Sequence, residues 1–187
     1  MGNKVDSRTI HTKALIRRTL LDLMQESPFL KVTVKELCEK AGINRGTFYL
    51  HYRDLWAVLE ELEDEVLSET SVQEPYHCSL SADYYTCPYG ICQKIHTHPE
   101  YGAVFLDDAL TQHVIDKIAA QSKDRYIRSL VEQSHLTAEQ AETLFYFQLN
   151  GCLAMNKDIY RKKDKDWQEC RELISGFIQG GLRRFRK

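Results

Sequence analysis

The sequence has no long apolar run. None approaches the roughly 20 residues that a helix needs to cross a bilayer, so no membrane partner is expected. Residues 1–7 are polar and lead into no apolar stretch of the secretory kind, which sets the expectation of a cytoplasmic protein. Strand-like alternation is scarce, and there is no internal repeat or low-complexity segment. No glycine-rich loop has phosphate-binding spacing, no nucleophile–base pair is recognisable, and Asp107-Asp108 stands as an isolated acidic pair. An enzyme is therefore not expected, and no cofactor is implied. The six cysteines hold a single C-x4-C pair, Cys87 and Cys92, and match no standard zinc pattern, which would want C-x2–4-C pairs. In an intracellular chain they read as free thiols rather than as a disulfide scaffold.

What is present is helix and an uneven distribution of charge. Apolar residues make up 43% of the 187, enough to bury a core. The net charge of −2 conceals a basic first third. Residues 1–53 hold ten Lys and Arg against five acids, near +5, which leaves the remainder near −7. A basic segment on an acidic body points to an anionic partner for that segment, with ordinary surface variation as the plain alternative.

Residues 8–26 place Ile10, Ala14, Ile16, Leu20, Leu23 and Met24 at largely helical spacing, and Ser27-Pro28 ends the run. Thr33 and Glu36 form a capping box at the start of a short helix with an apolar side of Val34, Leu37, Cys38 and Ala41. Gly42 stops that helix, as the residue that takes the left-handed conformation most cheaply. Asn44 caps a second short helix running to about His51, and Asp54 is placed to cap a longer one, about 55–70. The polar side of that longer helix reads as wholly acidic, with Glu60, Glu61, Glu63, Asp64, Glu65 and Glu69. Residues 71–80 read as a loop and 81–97 as an irregular helix. His98-Pro99 opens a helix or helix pair to about 133, and Thr137 with Gln140 is a second capping box for a helix to about 160. The last helix spans about 166–185, with Arg183, Arg184, Arg186 and Lys187 expected to favour its negative end.

Two short capped helices joined by a glycine turn make a helix-turn-helix. The second carries Asn44, Arg45, Thr47, Tyr49 and His51 as polar groups on its exposed side, while Phe48 and Tyr52 anchor it. Gly46 permits close backbone approach to DNA, and the helix N-terminus favours phosphate. Arg45 suits a guanine edge or a phosphate, and Thr47 and Tyr49 suit either task.

The segment TVKELCEKAGINRGTFYLHY, residues 33–52, closely resembles the DNA-binding signature of the TetR family of bacterial regulators. The matching features are Thr33, the Ala41-Gly42-Ile43 turn, Gly46-Thr47-Phe48-Tyr49, and His51-Tyr52 followed by Asp54. The resemblance covers residues 8–70; beyond that it is one of helical architecture. It implies an all-α protein with a three-helix DNA-binding domain, residues 1–53, followed by a helical effector-binding and dimerisation domain, residues 54–187. Thr33, Asn44, Arg45, Gly46, Thr47, Tyr49, His51 and Tyr52 are then the DNA-binding residues. The resemblance further implies a homodimer joined through about 137–160 and 166–185, a near-palindromic operator in double-stranded DNA, and release of a repressor by a small-molecule effector. One departure stands out. Where the family usually has a phosphate-holding lysine, just after Asp54, this chain has Leu55; Lys31 and Arg53 are the substitutes to hand, and Trp56 beside it is suited to pack between the domains.

For the effector, two sets of residues compete. Tyr84, Tyr85, Tyr89, Tyr101, Phe105, Phe147 and Asn150 are candidate lining for an aromatic ligand pocket, with a plain core as the alternative. Cys78, Cys87, Cys92 and His96, in a stretch that also holds His77 and His98, are candidate metal ligands or thiol sensors, with scattered buried thiols as the alternative.

Overall fold

The computed structural model describes residues 7–71, 91–162 and 166–187. Among the described residues the chain is all helix, with one isolated antiparallel bridge between Ser134 and Arg186. Helix α1, Ser7–Glu26, buries Ile16, Leu20 and Met24 on one side. The Ser27 N–H bonds back to the Leu23 carbonyl at 3.0 Å before Pro28 turns the chain into a 3-10 turn, Phe29–Lys31.

Helices α2 (Val34–Ala41) and α3 (Arg45–His51) follow. They pack on α1 through Leu37, Cys38 and Phe48, all buried. Helix α4, Leu55–Ser71, starts from the Asp54 carboxylate, whose Oδ1 accepts from the Ala57 N–H at 2.8 Å. It touches α1 on one side and α5, Ile91–Thr97, on the other. This two-sided burial corrects the wholly acidic polar face expected for α4: Glu63 is fully buried. Glu61 is also engaged, holding Lys13 at 2.6 Å and Arg17.

The helix expected from residue 98 onward is broken three times. Pro99–Tyr101 forms a 3-10 turn, Gly102–Phe105 a single α-turn (α6), and Asp108–Leu110 another 3-10 turn. Only then does α7, Thr111–Gln133, run on. Asp107 is the reason for the last break: its Oδ1 accepts from the Ala109 N–H at 2.8 Å, an Asx cap that competes with helical continuation. Helix α8, Ala138–Lys162, begins with the expected box, in which Gln140 N–H donates to Thr137 Oγ1 at 3.2 Å and Thr137 N–H to Gln140 Oε1 at 3.0 Å. Helix α9, Trp167–Arg183, is capped by Asp166.

The basic C-terminus does not complement α9 alone. Lys187 Nζ donates to the carbonyls of Val131 and Glu132, both at 2.9 Å, and so serves the negative end of α7. No helix among the described residues is long and apolar enough to cross a membrane.

Candidate nucleic-acid interface

Each end of α2 is fixed by its own sequence. Glu36 N–H donates to Thr33 Oγ1 at 3.2 Å, and Thr33 N–H donates to Glu36 Oε2 at 2.9 Å. The Thr33 hydroxyl bond, then its N–H bond, holds the Glu36 carboxyl below its ordinary range. At the other end Gly42 has φ +66°, the left-handed conformation. The Ile43 N–H reaches the Cys38 carbonyl at 3.0 Å and the Gly42 N–H the Glu39 carbonyl at 3.3 Å, a Schellman closure. These two bonds set the angle at which α3 leaves α2.

Helix α3 starts from Asn44, whose Oδ1 accepts from the Thr47 N–H at 2.7 Å and from the Thr47 hydroxyl at 3.1 Å. A Cβ on Gly46 would sit 3.1 Å from that same oxygen, tight enough to press on the cap. Phe48 is wholly buried and holds the helix down. Tyr49 is edge-on to it at 5.3 Å yet 57% exposed, so the ring is braced at its root and free at its tip. Thr33, Asn44, Arg45 and Gly46 are also exposed, while Thr47 and His51 are half-buried. Among these residues the Asn44 carbonyl and the Thr47 hydroxyl are already spent on the cap.

Tyr52 is a correction. Expected among the DNA-binding residues, it is 5% exposed, under Lys13, whose Nζ lies 5.0 Å from the ring centroid. Burial pushes its phenol up to about 12. It belongs to the core that supports α3. Burial alone would raise the Glu61 carboxyl beside it, but the bonds and charges of Lys13 and Arg17 outweigh that and hold it low.

Leu55, where the resemblance implies a lysine, is buried, so that position points inward. Arg53 is 73% exposed and lies 3.4 Å from Asp54 and 3.9 Å from Glu60, within reach of either carboxylate; Lys31 is exposed on the 3-10 turn. Leu50, not singled out by the sequence, is exposed on α3.

The head is joined to the helical body at defined points. Phe29 N–H donates to Asp107 Oδ2 at 3.0 Å, and Gln25 Nε2 to the Glu100 carbonyl at 2.9 Å. Trp56 lies edge-on between Phe29, at 4.7 Å, and His113, at 5.4 Å. Helices α8 and α9 leave Phe147, Leu173 and Phe177 exposed. Phe147, Phe177 and Phe185 line a shallow groove there, and Gly151, Gly176, Gly180 and Gly181 have open space around their missing side chains.

The effector candidates are dispersed. Tyr84, Tyr85, Tyr89, Cys78 and Cys87 lie outside the described residues. Phe105 is buried in the core and Tyr101 half-buried, whereas Phe147 and Asn150 are exposed on α8, with Asn150 Nδ2 donating to the Tyr146 carbonyl at 2.8 Å. Cys92 is buried and its sulfur accepts from Asn156 Nδ2 at 3.2 Å. His96, exposed on the same helix, stacks on Trp167 at 4.4 Å. No group of three metal-ligating side chains occurs among the described residues.

Comparison with known proteins places the head. The family model for bacterial regulatory proteins of the tetR family matches residues 16–62, which span α1 to the middle of α4. A curated relative, the uncharacterized HTH-type transcriptional regulator YxbF of Bacillus subtilis (strain 168), is 32% identical over 54 residues. That match spans 29% of this chain and only 14% of the relative's length. Among solved structures, the dihydroxyacetone kinase operon activator DhaS is similar with a TM-score of 0.64 at 16% identity, over 95% of this chain and 99% of that one, a likeness of fold. Over residues 16–62, its N-terminal head, the chain is thus similar to the bacterial regulatory proteins of the tetR family.

Proposed function

We propose that the chain is a ligand-responsive repressor that binds a near-palindromic operator as a homodimer and leaves it when a small-molecule effector binds the body. The observation that carries the DNA half is α3 itself. It is pinned by Phe48 and capped by Asn44, and it turns Arg45, Gly46 and Tyr49 to solvent. Such an arrangement presents a rigid reading edge at little entropic cost on binding. We assign Thr33, Asn44, Arg45, Gly46, Thr47, Tyr49 and His51 to the interface, within a DNA-binding domain of residues 1–53 and an effector and dimerisation domain of residues 54–187.

The exposed Phe147, Leu173 and Phe177, flanked by glycines, support pairing of α8 and α9 with a second copy. Two-fold symmetry would then set two α3 helices about one DNA turn, roughly 34 Å, apart. Four helices of the body (α4, α5, α7 and α8) meet beneath the head, where an effector between them can favour one inter-helix angle over another. DhaS is an operon activator by name, so the sign of regulation here is decided in a reporter strain. A gene whose deletion raises operator-driven transcription is a repressor's.

Unbiased selection of duplexes by the purified chain tests the DNA half. A two-fold related site with affinity falling steeply as salt rises is expected. Enrichment of no sequence would sink the proposal.

A further inference from the structure

The outermost line of α3 carries an apolar side chain that the roles assigned above leave unused. Leu50 is 82% exposed, the most of any large hydrophobic residue among those described. Lone exposed leucines are ordinary on protein surfaces, so it is position that matters. Each helical residue turns by about 100°. With the wholly buried Phe48 marking the core direction, Gly46 and Leu50 each fall about 160° away from it. They form the ridge farthest from the core, with Tyr49 on one flank and Thr47 on the other. Helical side chains lean toward the N-terminus, so Leu50 tilts over the turn that Gly46 leaves bare. The first group to protrude from the ridge is therefore an isobutyl group.

We propose that Leu50 is a specificity-determining residue that packs against the 5-methyl group of a thymine in the major groove. The inference rests on α3 being the reading helix. Leucine offers neither donor nor acceptor, so pressing it on a phosphate or a polar base edge would strip water from that group and return nothing. The thymine methyl is the apolar feature that the major groove displays. Exposed Arg45 on the same helix supplies attraction for the phosphates on either side. The Asn44 carbonyl and the Thr47 hydroxyl, committed to the cap, compete little for the same base edge.

The test uses the full chain and the duplex it selects. Each thymine is replaced singly by deoxyuridine, which pairs identically and lacks only the methyl. Wild-type protein should bind roughly four-fold more weakly when the contacted thymine of one half-site is changed, the loss expected for one buried methyl, and roughly 15-fold more weakly when its equivalents in both half-sites are changed. Leu50→Ala should bind all versions of that duplex equally, with an unchanged salt slope and an unchanged helical spectrum. Leu50→Gln should move the preferred base there from thymine toward adenine, which an amide can pair. Indifference of the wild type to every methyl overturns the inference, and so does methyl sensitivity that survives in Leu50→Ala. Selection of no duplex at all overturns the DNA-binding reading beneath it as well, which separates the two failures.

Discussion

The Glu63 carboxylate on α4 sits 2.9 Å from Nε2 of His113 on α7, completely buried, with Lys117 Nζ 3.5 Å from the same oxygen. Its other oxygen has no hydrogen-bond partner. Because α4 follows directly on the head and α7 runs through the body, this pair fixes the helix that leads out of the head against the rest of the body. It also makes a sharp prediction about stability. Removing one partner leaves a buried charge less well compensated, while removing both removes the problem. His113→Leu alone should lower unfolding free energy by about 3 kcal/mol, whereas Glu63→Leu with His113→Leu should recover most of it. Urea denaturation of the single and double variants decides; a double variant as unstable as the single one contradicts the argument.

Gly42 is the next test. Its φ of +66° lies where an L side chain costs about 1–2 kcal/mol. Gly42→Ala should lose about that much, and Gly42→Asn less, since asparagine tolerates this region. There is open space at the Cβ position, so the loss is one of backbone conformation and not of clash. Equal stability of Gly42→Ala and wild type by thermal melting would count against the left-handed turn.

The α2 cap is pH-dependent in a defined direction. The Glu36 carboxyl is held low in the folded chain by the Thr33 hydroxyl and N–H. A carboxylate with a depressed folded pKa contributes stability that is complete above its unfolded value and is lost as pH falls through the folded one. Glu36→Gln keeps the acceptor for Thr33 and should remove this contribution to acid sensitivity. Thr33→Ala should cost about 1 kcal/mol near neutral pH. Acid titrations of wild type and Glu36→Gln that run parallel throughout would refute the assignment.

At the proposed DNA surface, Arg45→Ala and Tyr49→Ala should weaken specific binding by about 1–3 kcal/mol each while leaving the melting temperature nearly unchanged. Tyr52→Ala should behave oppositely, because its ring is part of the core. Fluorescence anisotropy with the selected duplex, run beside calorimetric melting, separates the two behaviours.

For the proposed dimer, Phe177→Lys with Phe147→Lys should give a monomer by sedimentation, since both rings are exposed in the single chain and contribute little to its own core. A dimer that persists in this variant would move the interface elsewhere.

The head was readable because its signals are local. Thr33 with Glu36, Gly42, Asn44 and Asp54 each act within three or four residues of themselves, and each cap lies where those letters place it. The misreadings come from contacts distant in sequence. Glu63 looks like one of a row of surface acids until α7 brings His113 against it from 50 residues away. Tyr52, an anchor by its own position, counts among the DNA-binding residues only by resemblance, and the Lys13–Glu61 pair closes over it from α1 and α4. Lys187 reaches α7 rather than its own helix because the chain after α9 turns back, with the His135 N–H bonding the Phe185 carbonyl at 2.8 Å. Leu50 carries no polar letter to mark a reading edge, and only the burial of Phe48 shows which side of α3 is outermost.

Asp107 has a consequence for how stiffly the reader is mounted. One of its oxygens takes the Ala109 N–H at the edge of the body, and the other takes the Phe29 N–H in the head. A carboxylate is a flat, rigid fork, so these two amides are gauged to each other like teeth on one key. A shift of the 106–110 bend must carry the Phe29 turn with it or give up a hydrogen bond. Asparagine is the same shape but has one acceptor oxygen where aspartate has two, so Asp107→Asn would uncouple one side of the fork without altering its size.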